Sequence, residues 1–212
     1  MERKLIILTT IFVTCLIISN VIASKLVMVW GVIVPAAVFV FPITFLMTDT
    51  INEVWGKKTA QFTVWLGFGA SILLVGYLTL AQYLPYAPFW EDQASFVAIL
   101  GAVPRIVIAS MAAYLISQLH DVWSFNFWKS KTGGKHLWLR NNLSTMTSQL
   151  MDSAIFITVA FWGTVPNTVI LTMVVSQYIV KLIVAAMDTP LVYVLVRWVR
   201  GVNHAHRISG LW

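Results

Sequence analysis

Thr145, Ser148, Gln149 and Asp152 recur at spacings of three and four inside an apolar stretch of this 212-residue chain. Such spacing puts them on one face of a helix, with Phe156 a turn further on. A later apolar stretch carries Gln177, Lys181 and Asp188 in helical register, an earlier one carries Arg105, and the first carries Asn20 with Lys25 at its end. Asp49, Asn52 and Glu53 close the second. Five of the eight acidic residues, Asp49, Glu53, Asp121, Asp152 and Asp188, therefore lie in or at the edge of apolar runs. A charge at the centre of a bilayer costs about 2.5–3.5 kcal/mol, so residues kept there point to a polar site or pathway enclosed by helices. The competing explanation for Arg105, Asp152 and Lys181 is a buried ion pair or triad that fixes helix packing. Lys25 reads as snorkelling to an interface, Glu53 as sitting in headgroups beside Lys57, and Asp121 as solvated or capping the following loop.

Bond-making chemistry finds no support in the same residues. There is no His-Glu-x-x-His, no Gly-x-Ser-x-Gly and no Ser-x-x-Lys arrangement at membrane depth, and His120, His136, His204 and His206 fall at or beyond the ends of apolar runs. Cys15 is the only cysteine, which excludes an intrachain disulfide and a cysteine-based metal cluster. Gly133-Gly134 lacks Walker spacing and reads as a turn. No cofactor, no metal and no enzyme activity are expected.

The elements that must position these groups are membrane helices. The chain is 59% hydrophobic and 10% charged, with a mean hydropathy of +0.83, which places it in the membrane class. Six windows reach the length of about 20 apolar residues that a span needs: 5–23, 30–48, 60–84, 96–119, 143–162 and 168–196. Counting from Leu143 at about 1.5 Å per residue places Asp152 roughly 13 Å deep, near the bilayer midplane. The opening Met-Glu-Arg-Lys and the following apolar run mimic a signal peptide, but its removal would leave five spans and spoil the charge pattern. All of the 14 lysines and arginines except Lys25, Arg105 and Lys181 fall at the N-terminus, between spans two and three, between four and five, or after six. The positive-inside rule then makes both termini cytoplasmic in the cell (inner) membrane. This placement also accounts for the net charge of +6 without a nucleic-acid partner. The expected fold is all-α, a six-span polytopic bundle forming one domain over residues 1–212.

Local signals refine that bundle. Pro35 and Pro42 interrupt the second window, which reads as a broken helix, tolerable only against protein or a cavity. The connection from His120 to Asn142 interleaves Trp123, Phe125, Phe127, Trp128 and Trp138 with lysines and suits an amphipathic segment at the interface. On the fourth span, Ser110, Tyr114, Gln118 and Asp121 share a face roughly opposite Arg105, so one side can line a cavity and the other a neighbouring helix or a second protomer. A homodimer therefore stays open. No internal repeat is evident.

Several of these residues, taken in order, resemble a known family. Ser19-Asn20, Phe41-Pro42-x-x-Phe45-Leu46-x-Thr48-Asp49, Arg105 with Ala109-Ser110 and Ala113-Tyr114 followed by Gln118 and Asp121, Ser144-Thr145 with Ser148-Gln149 and Asp152, and Tyr178-x-x-Lys181 look like the queuosine precursor transporters, also called the VUT family. The resemblance covers nearly the whole chain; Asn52-Glu53 and Asp188 are not assigned to its pattern. It implies uptake of 7-deazaguanine bases, in cyano- and aminomethyl- forms, that feed tRNA modification. A guanine-like edge offers adjacent N–H donors to a carboxylate, Asp152 or Asp49, while its carbonyl suits a donor from Arg105, Lys181, Gln149 or Asn20. Ser148 and Gln177 complete the polar set, and Phe41, Phe45 or Phe156 would stack on the ring. The alternative is a substrate-binding subunit of an energy-coupling-factor importer for a vitamin or purine-like solute, which needs ATPase partners. A third possibility is a membrane protein whose buried charges serve packing alone.

Overall fold

The computed structural model describes residues 2–29, 31–131 and 137–201, without the side chains of residues 121, 122, 125, 126, 129, 137–142 and 185–189. The expectations for the side chains of Asp121, Phe125, Lys129, Lys135, His136, Trp138, Arg140, Asp188, His204, His206 and Arg207, and for Gly133-Gly134, lie outside these.

Seven α-helices and one β-hairpin make up the described chain: α1 (Glu2–Ile22), β1 (Leu26–Val29), β2 (Val32–Pro35), a 3-10 turn (Ala36–Phe39), α2 (Phe41–Trp55), α3 (Lys57–Tyr83), α4 (Gln93–Leu100), α5 (Val103–Lys131), α6 (Leu137–Phe161) and α7 (Asn167–Arg200). Four segments have the length and hydropathy to cross a membrane: Glu2–Ile22, Lys57–Tyr83, Gln93–His120 and Asn167–Val184. The other two windows depart from that pattern for different reasons. In α6 the polar stripe lowers the mean hydropathy, whereas α2 has only 15 residues, about 22 Å of helix.

The second window is not one helix from residue 30. Its first part is a β-hairpin pairing Leu26 with Pro35 and Val29 with Val32. Val27, Val29, Val32, Ile33 and Val34 supply the β-branched run that favours extended backbone. Pro35 ends that strand, and Pro42 falls in the first turn of α2, where its missing N–H costs nothing. The fourth window is likewise divided, at residues 101–102, with Pro104 in the first turn of α5. The connection expected after His120 continues α5 to Lys131 as helix. There Trp123 stacks on Phe127 at 5.5 Å and Lys131 lies 5.9 Å from the Phe127 ring centre, an i, i+4 ladder that supports helix beyond the apolar run.

The helices close into a ring. α5 and α6 form the most extensive pair, α6 packs on α7, α7 on α2, α2 on α3, and α3 returns to α5, with α1 against α2 and α3. Within a membrane, lipid is as apolar as leucine, so close packing must hold helices together. Gly67 shows how: a Cβ there would lie 2.7 Å from Leu16 Cδ2 and 2.8 Å from Phe12 Cε1, so α1 and α3 approach only across a glycine. Ile6, Phe62, Leu73, Ile108 and Leu171 are exposed outward, as lipid-facing positions require.

The start of α1 and the end of α7 lie at the same end of the bundle. Lys4 Nζ donates to the Trp198 carbonyl at 2.7 Å and the Val199 carbonyl at 3.2 Å, and Leu8 and Val199 share one apolar cluster. At the opposite end, the hairpin, the start of α5, the end of α6 and the start of α7 form a second cluster around Ala109, Phe156, Ile157, Phe161 and Met173.

Candidate functional site

A cavity of about 1420 Å³ occupies the centre of the ring. Seven of the residues expected at the site line it: Phe41, Phe45 and Asp49 from α2, Gln149 and Asp152 from α6, and Gln177 and Lys181 from α7. Helical spacing puts the residues of each element on one face, and the packing of the three elements turns those faces toward the same space. The lining continues past Glu53, Lys57 and Arg197 to Arg200 and Gly201, at the end where α1 starts and α7 finishes. Toward the hairpin it stops at Phe41, Phe156 and Gln177, where the second apolar cluster closes the bundle.

At its deep end the cavity is aromatic on one side and charged on the other. Phe41 and Phe45 stack with ring centres 6.4 Å apart, and Phe41 meets Phe156 edge-on at 6.5 Å. The sequence left these three as alternatives for a stacking wall; the structure groups them. Facing them, Lys181 Nζ donates to Asp152 Oδ2, an ion pair that ties α7 to α6. Both side chains are largely shielded, at 10% and 22% exposure, so each charge needs the other or a ligand in its place. The pair leaves carboxylate acceptor capacity unused by Lys181. One turn earlier on α6, Gln149 Oε1 is buried with no hydrogen-bond partner.

The remaining three expected residues lie off the cavity lining. Asn20 is 2% exposed and its Nδ2 donates to Ser71 Oγ at 3.1 Å, joining α1 to α3. Ser71 Oγ in turn donates to the Gly67 carbonyl, so the contact continues the glycine-mediated approach of those helices. Arg105 reaches from the start of α5 to the end of α6, where Nε donates to the Val159 carbonyl at 2.6 Å and Nη2 to the Trp162 carbonyl at 2.5 Å. A guanidinium suits that place because the last carbonyls of a helix have no partner within it and carry its negative dipole end. Ser148 Oγ lies 3.1 Å from His120 Nδ1, a polar contact between α6 and α5.

The α5 face that does line the cavity is the other one, through Ser110, Tyr114 and Gln118. Helical spacing places these opposite Arg105, and the packing of α5 turns their face, not that of Arg105, to the cavity. Thr145, Asn52 and Gln61 also line it. Gln61 was not signalled beforehand, since a lone glutamine near the start of a span looks like any interfacial residue. At the rim Arg200 Nη2 donates to the Glu53 carbonyl at 3.1 Å and to Glu53 Oε1 at 3.3 Å. Glu53 therefore joins α2 to α7 at the mouth, and an ion pair this exposed contributes at most about 1 kcal/mol. Among the described residues no cluster of histidine, cysteine, aspartate and glutamate has the geometry to hold a metal.

Residues 35–195 match the family described as "Putative vitamin uptake transporter", a stretch that includes all seven cavity residues named above. The chain is 33% identical over 178 residues to the "Probable queuosine precursor transporter" of Bacillus subtilis (strain 168), an alignment covering 82% of this chain and 77% of that one. It is 28% identical over 146 residues to the "Queuosine precursor transporter" of Escherichia coli (strain K12), covering 68% and 62% respectively. No solved structure matches it. The family is one of transporters, not enzymes.

Proposed function

We propose that this chain, which belongs to the vitamin uptake transporter family, is a multi-pass membrane protein that imports queuosine precursors and holds them in the central cavity. The observation that carries this reading is the shielded Asp152–Lys181 pair facing an aromatic cluster, inside a bundle whose relatives are named for that cargo. A flat heterocycle fits between Phe41, Phe45 and Phe156 on one side and the α6 and α7 polar rows on the other. On this reading the cargo is a 7-deazaguanine base in cyano- or aminomethyl- form. Phe41, Phe45, Asp49, Gln149, Asp152, Gln177 and Lys181 form its shell, while Asn20, Arg105 and Ser148 hold the helices that present it.

The proposed topology has six crossings in a single domain, made by α1, α2, α3, α4 with α5, α6 and α7. The short α2 reaches across because the hairpin and the 3-10 turn extend it, irregular backbone that a membrane tolerates only when protein buries it. Val34 and Ala37, at 3% and 0% exposure, meet that condition. The contact between Lys4 and the end of α7 supports an even number of crossings, and the basic residues at that end support cytoplasmic termini in the inner membrane. The cavity then faces the cytoplasm, the release-side state of an importer that works by alternating access. Neither relative's name favours the alternative of a subunit dependent on ATPase partners.

Uptake of labelled cyano- and aminomethyl-deazaguanine into liposomes containing only this protein tests the reading. Saturable uptake competed by unlabelled deazaguanine, but not by an unrelated vitamin, is expected. Binding without uptake would mean that a partner or driving ion is required, and absence of binding would sink the assignment of the cargo.

A further inference from the structure

Among the described residues, Thr44 and Gln177 are the polar side chains on the cavity lining that are more than nine-tenths buried, each at 4% exposure. Thr44 donates to the Phe41 carbonyl at 2.7 Å, a turn earlier in α2. Gln177 has no hydrogen-bond partner among the described residues, and neither end of its amide is sealed in protein as Gln149 Oε1 is. The little surface it keeps therefore includes both its amide oxygen and its amide nitrogen. A carboxamide brings two N–H donors and an acceptor oxygen, which an opening that small cannot fully hydrate, and buried polar groups left unpaired cost stability.

Two spaces adjoin Gln177. One is a crevice of about 10 Å³ between α2 and α7, walled by Pro35, Val38, Pro42 and Val180, with room for about one water. Its other polar side chain is Lys181, which is engaged by Asp152. The second space is the central cavity, so a partner for the amide comes from there. Phe41, Phe45 and Lys181 line both spaces together with Gln177. Gln177 and Lys181, four residues apart, also share a face of α7. Amide, aromatic rings and ion pair thus border the same part of the cavity.

We infer that Gln177 determines specificity for the ring of the cargo, its amide pairing with a ring edge that carries a donor beside an acceptor, as a cyclic amide does. This deepens the transport reading above and rests on it. The amide offers a donor and an acceptor without net charge, and the charges of Asp152 and Lys181 offset each other. The site therefore favours a neutral ring with such an edge over an apolar ring of the same shape. A ligand without that edge leaves the glutamine unpaired in the complex, and sites built to hydrogen-bond a polar group discriminate strongly against analogues that lack it.

The test measures binding to the purified wild type and to Gln177→Met, which keeps the side-chain length and removes the amide. The ligands are 7-deazaguanine and three analogues, each missing one polar group of the ring without added bulk. These are 7-deazahypoxanthine, without the 2-amino group; 2-amino-7-deazapurine, without the 6-oxo group; and the furan-fused counterpart, in which oxygen replaces the pyrrole N–H. Gln177→Met is expected to bind 7-deazaguanine about tenfold or more weakly. Without ligand it should melt at or above the wild-type temperature, because an unpaired amide has gone. For at least one analogue, the one missing the group that the glutamine pairs with, wild type and variant should agree within about threefold, the coupling that a direct contact produces. Unchanged 7-deazaguanine affinity in the variant would overturn the assignment, as would an equal loss for all four ligands or a variant that melts lower. So would a wild type that binds all four alike, an outcome that needs no variant. A wild type that binds none of them would instead overturn the transport reading, and this assignment with it.

Discussion

Asp152 and Lys181 can be separated experimentally because a packing pair and a ligand site respond differently to double substitution. Removing one partner strands the other charge at a cost of about 3–5 kcal/mol, whereas replacing both with apolar residues of similar volume is often neutral or stabilising. Asp152→Asn alone is therefore expected to lower the melting temperature and abolish binding. Asp152→Leu with Lys181→Met is expected to recover the melting temperature without recovering binding. Recovered binding in the folded double variant would show that the carboxylate is not a ligand group. Arg105 makes the complementary case. Its two bonds to helix-end carbonyls are each worth about 1.5–3 kcal/mol, and Arg105→Met should lower thermal stability while leaving deazaguanine affinity within about twofold of wild type. A stable variant with weakened binding would return Arg105 to the site. Both residues read alike in the sequence, as single charges in apolar runs, because sequence gives the cost of a buried charge and not its partner.

Among the elements, α1 and α3 depend on contact at a single glycine. At Gly67 a β-carbon would overlap Phe12 and Leu16, and Gly67→Val should destabilise the protein by about 1–3 kcal/mol, the usual cost of overpacking, read as a lower melting temperature in detergent. An unchanged melt would mean that the two helices separate without penalty. This glycine was legible beforehand only as one of many small residues common in membrane helices. The hairpin was missed for a related reason. Its Val-rich run, with Trp30-Gly31 in the middle, is as apolar as any span, and hydropathy alone does not distinguish extended from helical backbone. Pro35 and Pro42 did mark where helix could not continue, and α2 begins between them.

The described chain is a ring of helices around a cavity that reaches the end where α1 starts and α7 finishes. That asymmetry is open to labelling, since Cys15 is the only native cysteine. In a Cys15→Ser background, Gln61→Cys and Thr145→Cys should react with a membrane-impermeant thiol reagent from the cytoplasmic face, and deazaguanine should slow the reaction. Reaction only from the outer face would reverse the proposed orientation or the resting state. By itself the sequence determined the membrane class and which residues share a helical face, because these follow from hydropathy and a period of 3.6 residues. It also carried enough family pattern to point to the cargo. Which stripes meet was decided only by tertiary structure, since spacing along one helix says nothing of its rotation against its neighbours. That rotation turned Ser110, Tyr114 and Gln118 to the cavity and sent Arg105 to the end of α6, Asn20 to Ser71 and Ser148 to His120. Such choices rest on packing and on which buried polar groups find partners, and both depend on atoms far apart in the chain.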